Sequence, residues 1–304
     1  MALKRLPKHG CIAVTSPSSP VVAEKLERGV RYLESIGYRV IVGKSCTQAE
    51  TYFAGSIRDR ADELNHFFED PAIDAIFCGR GGFGSMYLLP HLKYAQIAQS
   101  RKLFVGFSDI TALQWGIWHR CSLPTVSAGM VTTDMSSVPV NPEFEAYFWQ
   151  LIEHGTCSYP ITPYGEATSE VEGLCLPGTL AVAAKLIGTP YFPSMSNMLL
   201  VLEDVDEPMH KIDGYLGQFV MAGLVDQSNG LILGHYNRLE VEPYPEVPSF
   251  ETMVERVFST TRKPLAIHTG YGHTPTKWAL PTGIPIRVRV SSSPTLYTPE
   301  SLYA

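Results

Sequence analysis

A serine hydroxyl is a weak nucleophile until a base takes its proton and donors hold the oxyanion its attack creates. Three positions in this 304-residue chain put side chains of the types that chemistry needs on loops after apolar runs: Ser108, Glu203 and His273. Ser108 sits in Gly106-Phe107-Ser108-Asp109-Ile110-Thr111, after the apolar run 103–105 and before a helical pattern carrying Ile110, Leu113 and Ile117. A strand-to-helix turn is the setting of a nucleophile elbow, although the letters are not G-x-S-x-G. The same serine also reads as a helix cap, its hydroxyl on a backbone N–H. Glu203 follows the apolar run 198–202, and strand ends in open α/β sheets line ligand crevices. Beside Asp204, Asp206 and Glu207 it also reads as a surface acid. His273, in Thr269-Gly270-Tyr271-Gly272-His273-Thr274-Pro275, lies on a turn after a strand, where it suits a general base or a structural or surface histidine.

Gly79-Arg80-Gly81-Gly82-Phe83-Gly84 follows another apolar run. Glycines let backbone N–H groups approach a ligand, as in an oxyanion hole or a phosphate cradle, and they also make tight turns. The letters of a dinucleotide fingerprint are present, but on the third strand and without the acidic residue some twenty positions on. Gly43-Lys44-Ser45 resembles the tail of a P-loop, yet Tyr38 stands where its first glycine belongs. His268 and His273 have no cysteine partner nearby, so a metal site is not indicated. No cofactor and no metal are expected.

The elements that must position these residues alternate. Strands are expected at 11–15, 38–42, 75–78 and 103–105, separated by helical spacing at 22–33 and 57–68. That order predicts an α/β fold: an N-terminal, mostly parallel sheet flanked by helices. The proline-rich stretch near 136–170, with one helix at 144–152, reads as a crossover. A second α/β unit with a mixed sheet follows, with helices at 179–187 and 212–220 and strands at 198–202, 231–233, 265–267 and 286–290. The expected division is 1–150 for the nucleophile domain, 151–170 for a linker and 171–304 for the domain carrying Glu203 and His273. Composition agrees with a folded enzyme: 45% hydrophobic, 18% charged. A net charge of −6 argues against a nucleic-acid partner. The six cysteines form no C-x-x-C pair and read as buried thiols of a cytoplasmic protein. No run is long enough to span a membrane.

With these residues in hand, the chain resembles the LD-carboxypeptidases, whose fold the microcin C self-immunity hydrolases share. The resemblance is carried by the glycine loop 79–84, by Val105-Gly106-Phe107-Ser108-Asp109-Ile110-Thr111, by Leu186-Ile187-Gly188-Thr189-Pro190, by Leu202-Glu203-Asp204 and by Gly272-His273-Thr274. It runs in order from about Ile12 to the last strand. It implies a serine peptidase with Ser108 as nucleophile, Glu203 and His273 completing the triad, and the backbone N–H groups of Gly82 and Asp109 as oxyanion donors. It further implies a homodimer, no metal, and a small peptide substrate: a murein tetrapeptide losing its terminal D-alanine.

Three stretches depart from the family pattern near the substrate. Ser127-Ala128-Gly129-Met130 stands where His-Gly-Pro is usual, Pro177-Gly178-Thr179-Leu180 where Gly-Gly-Asn-Leu is usual, and Gly214 follows Ile212-Asp213 where arginine is usual. They bear on the substrate more than on the reaction. Arg80 is the nearest cation in sequence for a peptide carboxylate. Two alternatives are an immunity-type hydrolase of peptidyl or aminoacyl nucleotides, with Trp278 and Tyr271 as a base platform, and a non-catalytic small-ligand-binding protein.

Overall fold

Alternation of short apolar runs with amphipathic segments becomes, in the computed structural model, two sheets that meet at one buried helix. The structure describes residues 2–164, 170–237, 248–259, 264–289 and 293–303. In the first half, strands β1 (Cys11–Thr15), β2 (Arg39–Val42), β3 (Ala75–Cys78), β4 (Leu103–Gly106) and β5 (Thr125–Ser127) pair in parallel, β5-β4-β3-β1-β2. Every residue of β1, β3, β4 and β5 is buried, the pattern of strands covered on both faces. Helices α1 (Ala23–Ser35), α2 (Ile57–Glu69), α3 (Tyr94–Ser100), α4 (Thr111–Cys121) and α5 (Pro142–His154) provide the cover. Two of these helices start at side-chain caps: Ser56 accepts from Asp59 N, and Asn141 from Glu143 N and Phe144 N.

The second sheet is mixed. Strands β6 (Ser158–Pro160), β7 (Val171–Thr179), β8 (Met198–Val205), β9 (Gly230–Asn237), β10 (Pro264–Ala266), β12 (Pro285–Arg289) and β13 (Thr295–Tyr297) take the order β10-β9-β8-β7-β12-β13-β6. The run β7 to β10 is parallel and the rest antiparallel. Helices α6 (Leu180–Leu186), α7 (Met209–Met221), α8 (Leu224–Gln227) and α9 (Phe250–Val257) complete this half.

The sheets do not follow the division of the chain at 150 and 171. Strand β11 (Leu280–Thr282) crosses back and pairs antiparallel with β5, closing the edge of the first sheet. Ser158–Pro160, expected in a linker, is the outer strand of the second sheet. The C-terminal tail returns as well, with Leu3 N donating to Leu302 O. Such pairings join residues more than a hundred positions apart, which local periodicity cannot foresee. Three-residue strands such as β5, β6, β11 and β13 are also too short to show alternation. The expected strand 286–290 corresponds to β12; Val290 lies outside the described residues.

Helix α4 is where the halves lock. Its residues from Thr111 to Ile117 are all buried, so it has no polar face to mark it as amphipathic. Trp115 Nε1 donates to Pro177 O at 2.8 Å, and Thr111 Oγ1 accepts from Thr179 N at 3.0 Å. A side chain at Gly178 would come within 2.7 Å of Thr111 Cγ2. The helix that begins just after Ser108 is thus pinned to the strand beside β8, on which Glu203 lies. Six thiols are free, five of them buried. Among the described residues no helix is long and apolar enough to cross a membrane.

Candidate active site

Strand β4 ends at Gly106, and the chain turns sharply at Ser108, which holds φ 63°. A non-glycine residue in the left-handed region costs about 1–3 kcal/mol and persists only where its surroundings enforce it. Asp109 does much of the enforcing. Its buried carboxylate accepts from Ser18 Oγ (2.5 Å) and Ser85 N (2.8 Å), and its carbonyl accepts from Ser85 Oγ (2.6 Å). Neither the short 3₁₀ turn at Ser108–Ile110 nor α4 has a side-chain cap, so Ser108 is not a helix-capping residue.

The loop after β3 closes over this turn. A Cβ at Gly81 would lie 2.7 Å from Ser108 Cβ and 3.2 Å from Asp109 N, so only glycine permits the approach. Gly82, at φ 117°, would likewise strike Ser19 Oγ at 2.3 Å. Gly81 thus serves close contact with the serine turn, while Gly82 serves close contact with Ser19. The Gly79–Gly84 segment leads into a 3₁₀ helix (Ser85–His91), not the α-helix that dinucleotide binding requires. The P-loop likeness resolves differently: Ser45 Oγ donates to the Glu63 carboxylate, fastening two elements.

Glu203 is fully buried inside β8, paired in register with Thr179, so the strand runs three residues beyond the apolar stretch that announced it. Pairing with β7 at Glu203 and with β9 at Asp204, across a register shift between Leu202 and Asp204, holds these acids in extended conformation despite their weak strand preference. Glu203 Oε1 accepts from Thr179 Oγ1 at 2.5 Å, and Oε2 meets His273 Nδ1 at 2.7 Å. With the carboxylate ionised, Nδ1–H is the donor and Nε2 is left with its lone pair. Asn237 Nδ2 holds the His273 carbonyl at 2.6 Å, and the imidazole packs tilted against the Phe107 ring, centroids 4.9 Å apart. The surface-acid and surface-histidine readings are therefore set aside.

Ser108 and His273 open onto one cleft of about 410 Å³, with Arg80, Gly82, Asp204 and Lys277 on its walls. No hydrogen bond joins Ser108 to His273 among the described residues; such contacts often tighten only with substrate bound. Arg80 is half-buried and donates to Pro20 O at 3.2 Å. Trp278 and Tyr271 do not fit a nucleobase platform. Trp278 is buried and stacked on Tyr159 at 4.4 Å, and Tyr271 is buried with its hydroxyl on Ser127. An aromatic plane can accept a base only if one face is open.

Several residues at the site carry no sequence signal. Thr179 and Asn237 are fixed by strand register, and the Lys277–Asp134 pair at 2.9 Å joins residues 143 positions apart. Asp204 was legible only as a neighbour of Glu203. Burial, and then the adjacent Glu203 charge, push its carboxyl up to about 7. The folded state then binds this proton more tightly than the unfolded chain. Its stabilising effect is complete below about pH 4 and lost as pH rises to about 7, a swing of at most roughly 4 kcal/mol. Asp204→Asn should flatten that slope. Urea midpoints at pH 5 and pH 8 check it, and an equal slope in both proteins would show that Asp204 does not hold the proton.

Fold and cleft together define a two-domain α/β protein with its candidate site between the halves. Residues 12–128 match the LD-carboxypeptidase N-terminal domain and residues 172–288 the LD-carboxypeptidase C-terminal domain. The chain belongs to the LD-carboxypeptidase family. It is 30% identical to the murein tetrapeptide carboxypeptidase of Pseudomonas aeruginosa, over 91% of this chain and 92% of that one. The crystal structure of muramoyltetrapeptide carboxypeptidase from Oxalobacter formigenes is similar at a TM-score of 0.87 and 25% identity, covering 96% of this chain and 99% of that one. MccF in complex with glutamyl sulfamoyl guanosine shares the fold, with a TM-score of 0.89 and 21% identity over 100% of this chain and 99% of that one.

Proposed function

We propose that this protein is a serine carboxypeptidase that hydrolyses an LD-peptide bond and releases the terminal D-alanine of a murein tetrapeptide. The observation that carries the reading is the buried Glu203–His273 contact at 2.7 Å, facing the same cleft as a serine held at φ 63°. His273 Nε2 takes the proton as Ser108 Oγ attacks the amide carbonyl. Glu203 keeps the imidazole in the required tautomer and stabilises its charged form. The backbone N–H groups of Gly82 and Asp109 receive the oxyanion. His273 then passes the proton to the leaving amine, and water releases the acyl group. Kinship with murein tetrapeptide carboxypeptidases supports the substrate class. The buried state of Trp278 and Tyr271 weighs against the nucleotide alternative. A cytoplasmic homodimer is part of the same proposal.

The test is incubation of the purified protein with murein tetrapeptide and with aminoacyl-adenylate analogues, read by mass spectrometry. Loss of one alanine from the tetrapeptide, undiminished by chelator, is expected; an intact tetrapeptide beside a cleaved analogue would overturn the substrate. Arg80 is proposed to hold the peptide's terminal carboxylate. Arg80→Ala should then lower kcat/KM on free-acid peptides about 10- to 100-fold more than on their C-terminal amides, the worth of a charged hydrogen bond. Equal losses would assign the guanidinium to bracing the glycine loop through Pro20.

A further inference from the structure

We propose that the buried Lys277–Asp134 ion pair is a latch that positions His273 against Ser108, an inference that rests on the reading of those two residues given above. Lys277 follows His273 by four residues and lies on the same turn, while Asp134 belongs to the other half of the chain, just beyond β5. Their contact is 2.9 Å, with side chains only 5% and 12% exposed. Asp134 is built to receive it: Oδ2 accepts from Met130 N (2.8 Å) and Thr133 Oγ1 (2.6 Å). Burial works against its charge, but Lys277 and these donors outweigh it and hold the carboxyl below its ordinary range.

The turn that carries Asp134 is itself bonded to the glycine loop. Val131 N donates to Cys78 O, and both Thr132 N and Thr132 Oγ1 donate to Gly79 O. Lys277 Nζ also lies 4.3 Å from the centroid of Phe107, the residue before Ser108, and the His273 imidazole packs against the same ring. One cation therefore ties the histidine turn to the serine turn through Phe107 and to the glycine loop through Asp134. Burying two charges is costly and is weak evidence for stability. A pair placed at the junction of three converging loops is better explained by geometry, because a misplacement of about 1 Å at a reacting centre can cost on the order of 100-fold in rate.

The test compares Lys277→Met, Lys277→Arg and the double variant Asp134→Asn/Lys277→Met with the unaltered enzyme. Turnover of the tetrapeptide is measured alongside the rate at which a fluorophosphonate labels Ser108, which needs no peptide binding. Lys277→Met should lower kcat about 10- to 100-fold with KM changed less than about threefold, slow labelling to a similar degree, and be partly rescued by Lys277→Arg. If Lys277→Met folds poorly, the double variant leaves no lone buried charge and is the one to read. Unaltered kcat and labelling in a folded variant would overturn the latch. So would a rise confined to KM, which would make Lys277 a substrate anchor. Ser108→Ala run in parallel separates the two levels: labelling that survives in it overturns the serine assignment itself, whereas its loss there beside normal labelling of Lys277→Met overturns the latch alone.

Discussion

Ser108→Ala is expected to lower kcat by about 10⁴- to 10⁶-fold, the scale on which removing the attacking atom acts in serine hydrolases. The residual rate would come from binding and from the oxyanion donors, which the substitution leaves in place. The fold should not suffer. Ser108 Oγ caps no helix, and alanine occupies the same left-handed turn with a Cβ of the same size. Substrate affinity, measured by calorimetry on the inactive variant, should stay within a few-fold of the KM of the active enzyme where chemistry is slow. Ordinary turnover in Ser108→Ala would end the serine mechanism. Loss of substrate binding with the rate would instead make Ser108 a binding residue.

Glu203→Gln is the second large effect, an expected fall in kcat of about 10³- to 10⁴-fold with the geometry kept. The carboxylate now accepts from Thr179 Oγ1 and from His273 Nδ1. A glutamine in its place can offer its NH₂ to Nδ1, which fixes the wrong tautomer and leaves Nε2 protonated, unable to take the serine proton. The same variant has a separate readout. After burial, Glu203 is the larger of two charges, with Glu207 the other, that hold Asp204 up at about 7. Removing its charge should lower the Asp204 pKa, so the loss of stability with rising pH should finish at lower pH than in the unaltered protein. A normal kcat in Glu203→Gln would reduce the 2.7 Å contact to a structural hydrogen bond. An unmoved stability slope would mean that burial and Glu207, not Glu203, govern Asp204.

Ser108 and Asp204 show two ways in which a half-buried cleft raises the cost of its own residues. The strain at Ser108 and the elevated carboxyl of Asp204 both oppose folding near neutral pH, and both lie on the walls of one cavity. The strain at Ser108 is held in place by the Asp109 carboxylate on Ser18 and Ser85, whereas the Ala181 and Val205 N–H groups that donate to Asp204 offset part of its cost. This is the pattern of a site whose geometry is enforced by the fold rather than found at a local minimum.

The sequence by itself determined the strand-helix alternation, and with it the two-sheet α/β architecture, because buried strands and amphipathic helices write their periods locally. It also marked Ser108, the glycine loop, Glu203 and His273 as chemically able residues, each next to an apolar run. It left Ser108 open between cap and nucleophile, and Glu203 open between crevice-lining acid and surface acid. Those choices turn on φ at one residue and on burial in a strand extended by its neighbours, neither of which a residue's own letters contain. Only the tertiary structure decided that β11 leaves the second half of the chain to close the first sheet, that Trp278 is sealed beneath Tyr159, and that Thr179, Asn237, Asp134 and Lys277 surround the site. Each of these depends on strand register or on contacts spanning a hundred residues or more, or several elements. Local propensity carries no information about them, because the entropy of closing such loops is recovered only when the whole core packs at once.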